Sequence, residues 1–248
     1  MAPRVKPAAK LLPRRMSQYA FVGIVVALHS ERRTLRQLHG ALVEVSGPGP
    51  TNAAAAARRL LARGACCLVS WGTAGGLVPE LSAGALLVSA ESTDAAAEGL
   101  DPPNRSLEAT IAATCAALGT VRGRVCSVSE PASQRAAKEL LNRRTGAIVV
   151  DMESASVAAV AREAGMPFAA VRAVVDPLDF EIPAAALLGL RADGRSNVWP
   201  VMGSLLRDPV QVMALCRLGL HFRAALRKLE AAATLLARAG FAGIKALQ

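Results

Sequence analysis

From Tyr19 onward the chain alternates short, unbroken apolar runs with stretches of helical period, and this rhythm constrains the fold more than any other feature. Phe21–Leu28, Ala41–Ser46, Ala65–Ser70, Gly84–Glu91, Arg124–Val128, Ala147–Val150 and Phe168–Val175 read as strands. Between them His29–Leu38, Leu107–Leu118, Pro131–Asn142 and Glu153–Ala164 read as helices. An Ala-rich helix capped by Thr51 or Asn52 runs to Arg63, before Gly64, and Pro209–Arg238 forms a long basic helix or helix pair. Gly72–Gly76 is expected to break the third strand. Apolar runs without polar alternation are strands buried on both faces, and interleaved with helices they form a largely parallel, helix-covered sheet. The expected fold is therefore a single α/β domain over residues 18–248, its central mixed sheet largely parallel and flanked by helices. Residues 1–17, rich in proline and basic groups, are expected to be a disordered tail.

Composition narrows the function classes. With 52% hydrophobic and 19% charged residues the body is not intrinsically disordered. Its cleanest apolar run, Ala20–Leu28, is too short to cross a bilayer, which takes roughly 20 residues. Met1–Arg15 lacks the apolar core of a secretory signal. The net charge of +10 sits entirely at the ends, because residues 16–216 carry 18 basic and 18 acidic groups. With only 3% aromatics to stack on bases, nucleic-acid binding is not expected. Basic termini suit an anionic membrane surface instead. Five unpaired-looking cysteines, two of them adjacent (Cys66 and Cys67), fit a reducing compartment such as the cytoplasm, and with three scattered histidines they outline no zinc site.

Ligands of open α/β sheets bind beyond the carboxyl ends of the strands. Those positions hold Glu31 after the first strand, Gly47-Pro48-Gly49 after the second and Gly72–Gly76 after the third. Asp151-Met152-Glu153 follow the Ala147–Val150 strand, and Asp176 ends the last. Several acids and hydroxyls thus converge on one crevice. Gly47-Pro48-Gly49 reads as a tight turn, since Asn52 stands where a dinucleotide fingerprint needs its third glycine. Asp151 and Glu153 also suit the dipole at the start of a helix. Alternation places Arg172, Val174 and Asp176 on one strand face, so Asp176 is either an acid at work or the partner of Arg172 in a buried ion pair.

These motifs occur in a familiar order. Phe21–Glu31 (FVGIVVALHSE), Ser46–Gly49, Gly72–Leu77 (GTAGGL), Asp151–Ser154 (DMES) and Val171–Asp176 (VRAVVD) together resemble the purine nucleoside phosphorylase and methylthioadenosine/adenosylhomocysteine nucleosidase superfamily. The resemblance spans roughly residues 20–180, and from Leu187 onward the tail resembles the hopanoid-associated nucleoside phosphorylase branch, linked to removal of adenine from adenosylhopane. It implies a nucleoside phosphorylase-like fold and a homo-oligomer. The activity implied is cleavage of the N-glycosidic bond of a 5′-substituted adenosine. By position, Asp176 matches the acid that protonates the purine and Glu153 the carboxylate that binds the ribose hydroxyls. Met152 matches the residue packed on the sugar. Thr73, with Gly72, matches the motif beside the nucleophile, and Asp151 opens the ribose-binding segment. No cofactor or metal is implied.

The nucleophile divides the reading. Glu31 matches the glutamate that activates water in the nucleosidases. The phosphorylases carry a phosphate-binding arginine just ahead of the Gly-Thr/Ser motif, where this chain has Ser70 and Trp71. His29, Ser30, Arg32 and Arg33 are the available substitutes. Residues point to water and the branch points to inorganic phosphate as co-substrate, so both stay open. An apolar 5′ substituent would need a greasy channel, for which 182–190 and 199–216 are apolar enough, with the basic terminal helix then docking on the inner membrane surface. The competing readings are a nucleosidase for methylthioadenosine or adenosylhomocysteine, a nucleoside-binding module without turnover, and a peripheral membrane or nucleic-acid binder driven by the basic ends. A pure binder has no need of an acid at Asp176.

Overall fold

A computed structural model describes residues 21–96, 105–183, 186 and 211–241, together with the backbone of 99–100. The expected tail at 1–17, and most of the two apolar segments assigned to a 5′ channel, lie outside the described residues. Among the described residues nine strands form one sheet: β1 Phe21–Val26, β2 Leu42–Val45, β3 Ala65–Gly76, β4 Leu86–Ser89, β5 Ser92–Asp94, β6 Gly99–Leu100, β7 Val125–Ser127, β8 Val149–Asp151 and β9 Phe168–Asp176. The helices are α1 His29–Thr34, α2 Pro50–Ala62, α3 Ser106–Thr114 with a 3-10 turn at Ala116–Leu118, α4 Arg135–Thr145, α5 Ser154–Glu163 and α6 Gln211–Arg238. None is long and apolar enough to cross a membrane among the described residues.

Parallel ladders join β1 to β2 and β3, β3 to β9, and β7 to β5 and β8. Antiparallel ladders join β3 to β8, β4 to β9 and β5 to β6. The mixed, largely parallel α/β sheet is therefore present as expected. Both faces are buried. On one, Val22, Ile24, Val26, Trp71, Val88 and Val171 pack under α1, α3 and α6, through Leu35, Ile111, Leu229 and Leu236. On the other, Val25, Leu68, Phe168 and Val174 pack under α2 and α5, where Ala53, Ala56 and Ala57 meet Val157, Val160 and Ala161. That small-residue contact explains the alanine-rich composition of α2: it brings α2 and α5 close together over the sheet.

Three local expectations fail for identifiable reasons. The Gly72–Gly76 segment does not break β3, which continues to Gly76. Its small residues leave room for side chains from neighbouring elements instead. α2 starts at Pro50 with Gly49 at its cap, and the Asn52 amide donates to the Pro48 carbonyl at 3.0 Å rather than capping the helix. α4 starts at Arg135, not Pro131. Pro131 and Ala132 remain in a loop that lines a cleft, and the Ser133 carbonyl accepts a hydrogen bond from Ile182 N at 3.0 Å.

β3 and β9 run in register from Leu68 opposite Phe168 to Ala74 opposite Val174, and then slip, with Gly75 opposite Asp176. Val175 is the surplus residue of a β-bulge, which breaks the two-residue alternation and re-aims Asp176.

Candidate active site

Glu31 reaches the cleft because β1 ends at Val26 and turns through Ala27 and Leu28 into α1. Its Oε2 accepts hydrogen bonds from Ala27 N (3.1 Å) and Leu28 N (3.0 Å), so the side chain closes the first turn of its own helix. Its Oε1 accepts from Thr73 N (2.8 Å) and Thr73 Oγ1 (3.0 Å) on β3. The helix is held in turn by Thr34, whose Oγ1 donates to the Glu31 carbonyl (2.7 Å) and accepts from Trp71 Nε1 (3.0 Å). Burial pushes the Glu31 carboxyl above the usual range, while Arg172 and the Thr73 and Leu28 amides pull it back.

Arg172 sits centrally on β9 and is 2% exposed. Its Nε is 2.6 Å from Asp151 Oδ2, and its Nη2 donates to Ser70 Oγ (2.6 Å) and Ser154 Oγ (3.1 Å). Nη2 also lies 3.9 Å from Glu153 Oε2. Asp151 spends its oxygens on Arg172, the Ser127 hydroxyl and the backbone N–H groups of Glu153 and Ser154. It thus lines the cleft while serving chiefly to hold Arg172. Glu153 Oε1 accepts from Gly49 N at 2.9 Å, so the Gly47-Pro48-Gly49 turn delivers its N–H to a carboxylate. Burial, and then the neighbouring Asp151, lift Glu153 to about 7, against the pull of Arg172 and the Gly49 amide.

Asp176 does not pair with Arg172, the arrangement that simple alternation allowed. The bulge at Val175 turns its carboxyl toward α4, where Lys138 Nζ lies 2.8 Å from Oδ2. Burial raises the Asp176 carboxyl and Lys138 lowers it, with burial the larger. Gly75 permits this approach, since a Cβ there would stand 2.8 Å from Asp176 Oδ2.

Glu31, Thr73, Asp151, Met152, Glu153 and Asp176 all line one cleft of about 160 Å³, walled by Val128, Pro131, Ala132, Val150, Val175 and Ile182. Gly72, expected to touch substrate, is not part of that lining. It lies beneath Thr73, where a Cβ would stand 2.7 Å from Glu31 Oε1 and 2.8 Å from Arg172 Nη1, so it makes room for the pair. Arg32 and Arg33 are exposed and, like His29 and Ser30, outside the lining. Among the described residues the cleft carries four carboxyl groups and no lysine, arginine or histidine. No group of three metal-ligating side chains occurs among them either.

Sequence reasoning missed Lys138 and the partners of Arg172. A signal existed for Lys138: with Leu141, Asn142 and Thr145 it occupies the i, i+3, i+4, i+7 stripe by which α4 meets the sheet.

Four carboxyl groups in one apolar-walled cleft, gathered by the mixed sheet, fit the chemistry of a nucleoside phosphorylase or nucleosidase. The family model of the phosphorylase superfamily matches residues 7–187, and the chain belongs to that superfamily. Among solved structures it is similar to futalosine hydrolase of Helicobacter pylori, at 17% identity and TM-score 0.68, over 89% of this chain and 98% of that one. It is also similar to 5′-methylthioadenosine/S-adenosylhomocysteine nucleosidase of Neisseria meningitidis in complex with methylthio-immucillin-A (16% identity, TM-score 0.66, 88% and 98% covered). The Helicobacter pylori nucleosidase of that name matches at 19% identity and TM-score 0.65, over 89% and 97%. No curated protein sequence matches significantly.

Proposed function

We propose that the protein hydrolyses the N-glycosidic bond of a 5′-substituted adenosine, with water as nucleophile. Glu153 accepts hydrogen bonds from the ribose hydroxyls and Met152 packs against the sugar. As the C1′–N9 bond lengthens, positive charge builds on the ribosyl ring, as in glycoside hydrolysis. Asp176 gives its proton to purine N7, and Glu31 takes a proton from the water that attacks C1′. The carboxylates around the sugar stabilise the cationic ring as it forms.

One observation carries the choice of water. The Thr73 N–H and hydroxyl, which are the donors an incoming phosphate would use, already serve the Glu31 carboxylate, and no cation lines the cleft among the described residues. A phosphate dianion placed there would face like charge at close range. The test is release of free adenine from methylthioadenosine, adenosylhomocysteine and an adenosyl-lipid, each with and without phosphate. Equal rates in both conditions are expected, and a strict phosphate requirement would overturn the reading.

Within this class we propose a lipid-linked 5′ substituent such as that of adenosylhopane, which the likeness of the tail supports. Arg33, Arg36, Arg223 and Arg227, with Glu230 among them, gather where α1 and the turn after it meet α6 and suit an anionic membrane surface, and a homo-oligomer is carried over from the family. Preference for the adenosyl-lipid over methylthioadenosine, flotation with anionic but not neutral vesicles, and the sedimented mass test these three points.

A further inference from the structure

α4 buries a lysine where a helix of this kind would ordinarily bury an aliphatic side chain. Arg135, Ala136, Ala137 and Leu140 are exposed, whereas Lys138 has no accessible surface. A buried ammonium is tolerated only when its hydrogens are answered. Here Nζ faces the carbonyls of Asp176, Pro177 and Phe180, each at 3.0 Å, and Asp176 Oδ2 at 2.8 Å. All four oxygens belong to residues 176–180, the end of β9 and the turn after it. Three carbonyls answer its three hydrogens, and the Asp176 carboxyl is the charged group set beside Nζ.

Resting on the nucleosidase reading, we propose that Lys138 is a positioning residue for the proton donor. Anchored by three carbonyls, its ammonium fixes the Asp176 carboxyl by one oxygen and stands as counter-ion to the carboxylate left once the proton has gone. The step balances without any change of oxidation state. The C1′–N9 bond breaks with its electron pair passing into the purine, and the Asp176 proton goes to N7. The water oxygen bonds C1′, and its proton goes to Glu31. Adenine then leaves neutral, and the charge stranded on Asp176 is answered by Lys138 without any movement of the protein.

Other charged groups lie further round the same carboxyl. Glu31, Asp151 and Glu153 line the other end of the cleft with Arg172 buried behind them, and Arg135, Glu139 and Asp179 pair on the outer side of α4. Behind Val175, His221 of α6 meets the Phe180 ring edge-on, with Arg217 over the same ring. Lys138 is the largest influence lowering the Asp176 carboxyl against burial, with the Asp176 backbone N–H a smaller one.

The experiment compares the unaltered full chain with Lys138→Met, Asp176→Asn and the double variant. Two substrates are used: methylthioadenosine, and 4-nitrophenyl riboside, whose leaving group departs without a proton. Lys138→Met should lose roughly 10–100-fold in kcat on methylthioadenosine, less than the roughly 10²–10⁴-fold that loss of a general acid costs. The alkaline limb of its pH profile should move to higher pH, and nitrophenyl riboside cleavage should be preserved. The double variant should be no slower than Asp176→Asn alone. An unmoved alkaline limb, equal losses on both substrates, or additive losses would overturn the proposal. Should Lys138→Met fail to fold, the double variant leaves neither charge unanswered and decides the matter against Asp176→Asn. Absence of adenine release by the unaltered protein would overturn the nucleosidase reading itself, whereas release with an unchanged Lys138→Met profile overturns only the role given to Lys138.

Discussion

Asp151 and Arg172 form a buried ion pair, 2.6 Å between Nε and Oδ2, whose side chains are 1% and 3% exposed. It joins the end of β8 to the middle of β9, and both Glu153 and the floor under Glu31 depend on where it holds the guanidinium. Removing one partner of such a pair strands the other in a low-dielectric interior. Asp151→Ala should therefore destabilise the protein by about 3–5 kcal/mol, the usual cost of an orphaned buried charge. Urea unfolding measures it, and a loss below about 1 kcal/mol would mean that Arg172 finds another partner.

Gly72→Ala tests the space beneath Thr73. The added methyl would stand inside contact distance of both Glu31 Oε1 and Arg172 Nη1. Overpacking of this kind costs about 1–3 kcal/mol. Displacing Glu31 should lower adenine release by roughly 10–100-fold, since small misplacements of a reacting group are costly. Unchanged kcat in a folded Gly72→Ala protein would dissociate Glu31 from the chemistry.

Asp176→Asn keeps the shape of the acid and removes its proton. A loss of about 100-fold or more in kcat is expected on adenine nucleosides, with KM little changed. Because the acid must carry its proton, the rate of the unaltered enzyme should fall as pH rises through the Asp176 titration, which burial has moved upward. Full activity in Asp176→Asn would remove Asp176 from the reaction.

Glu153 makes stability depend on pH with a definite sign. Its carboxyl titrates near 7 in the folded protein against an ordinary value of 4.5, so the folded state holds the proton more tightly. The stabilisation is present at low pH and is lost as pH climbs from about 4.5 to about 7. An upward shift of this size corresponds to at most ~3 kcal/mol. Denaturation midpoints across that window should decline for the unaltered protein and decline less for Glu153→Gln. Parallel curves would show that Glu153 does not titrate differently on folding.

Apolar continuity made the strands legible. β1, β2, β7, β8 and β9 lie within a few residues of where unbroken runs of Val, Ile, Leu and Ala placed them, because strands buried on both faces have no other composition open to them. The short hairpin of β5 and β6 was invisible, since Ser92–Asp94 is polar and too brief to carry a period. The Gly72–Gly76 run misled for a different reason. Glycine ordinarily marks a break, but in β3 it admits Glu31, Arg172 and Asp176 to the strand's surface, and that requirement belongs to the tertiary structure. That Glu31, Asp151, Met152, Glu153 and Asp176 share one cleft was legible from their places at strand ends, and Thr73 joins them from inside β3. Their partners were not, because Lys138 and Asp176 meet across a helix and a strand 38 residues apart.

The bulge at Val175 has a consequence for how the pocket is specified. The aim of the Asp176 carboxyl is written in the path of the backbone between Arg172 and Asp176 as well as in their chemistry. A perfectly regular strand of the same sequence would swing the carboxyl round to the side of the guanidinium and away from Lys138, with no change in the sequence itself. Local irregularity thus decides which partner the carboxyl meets, something a tally of matching side chains would never register.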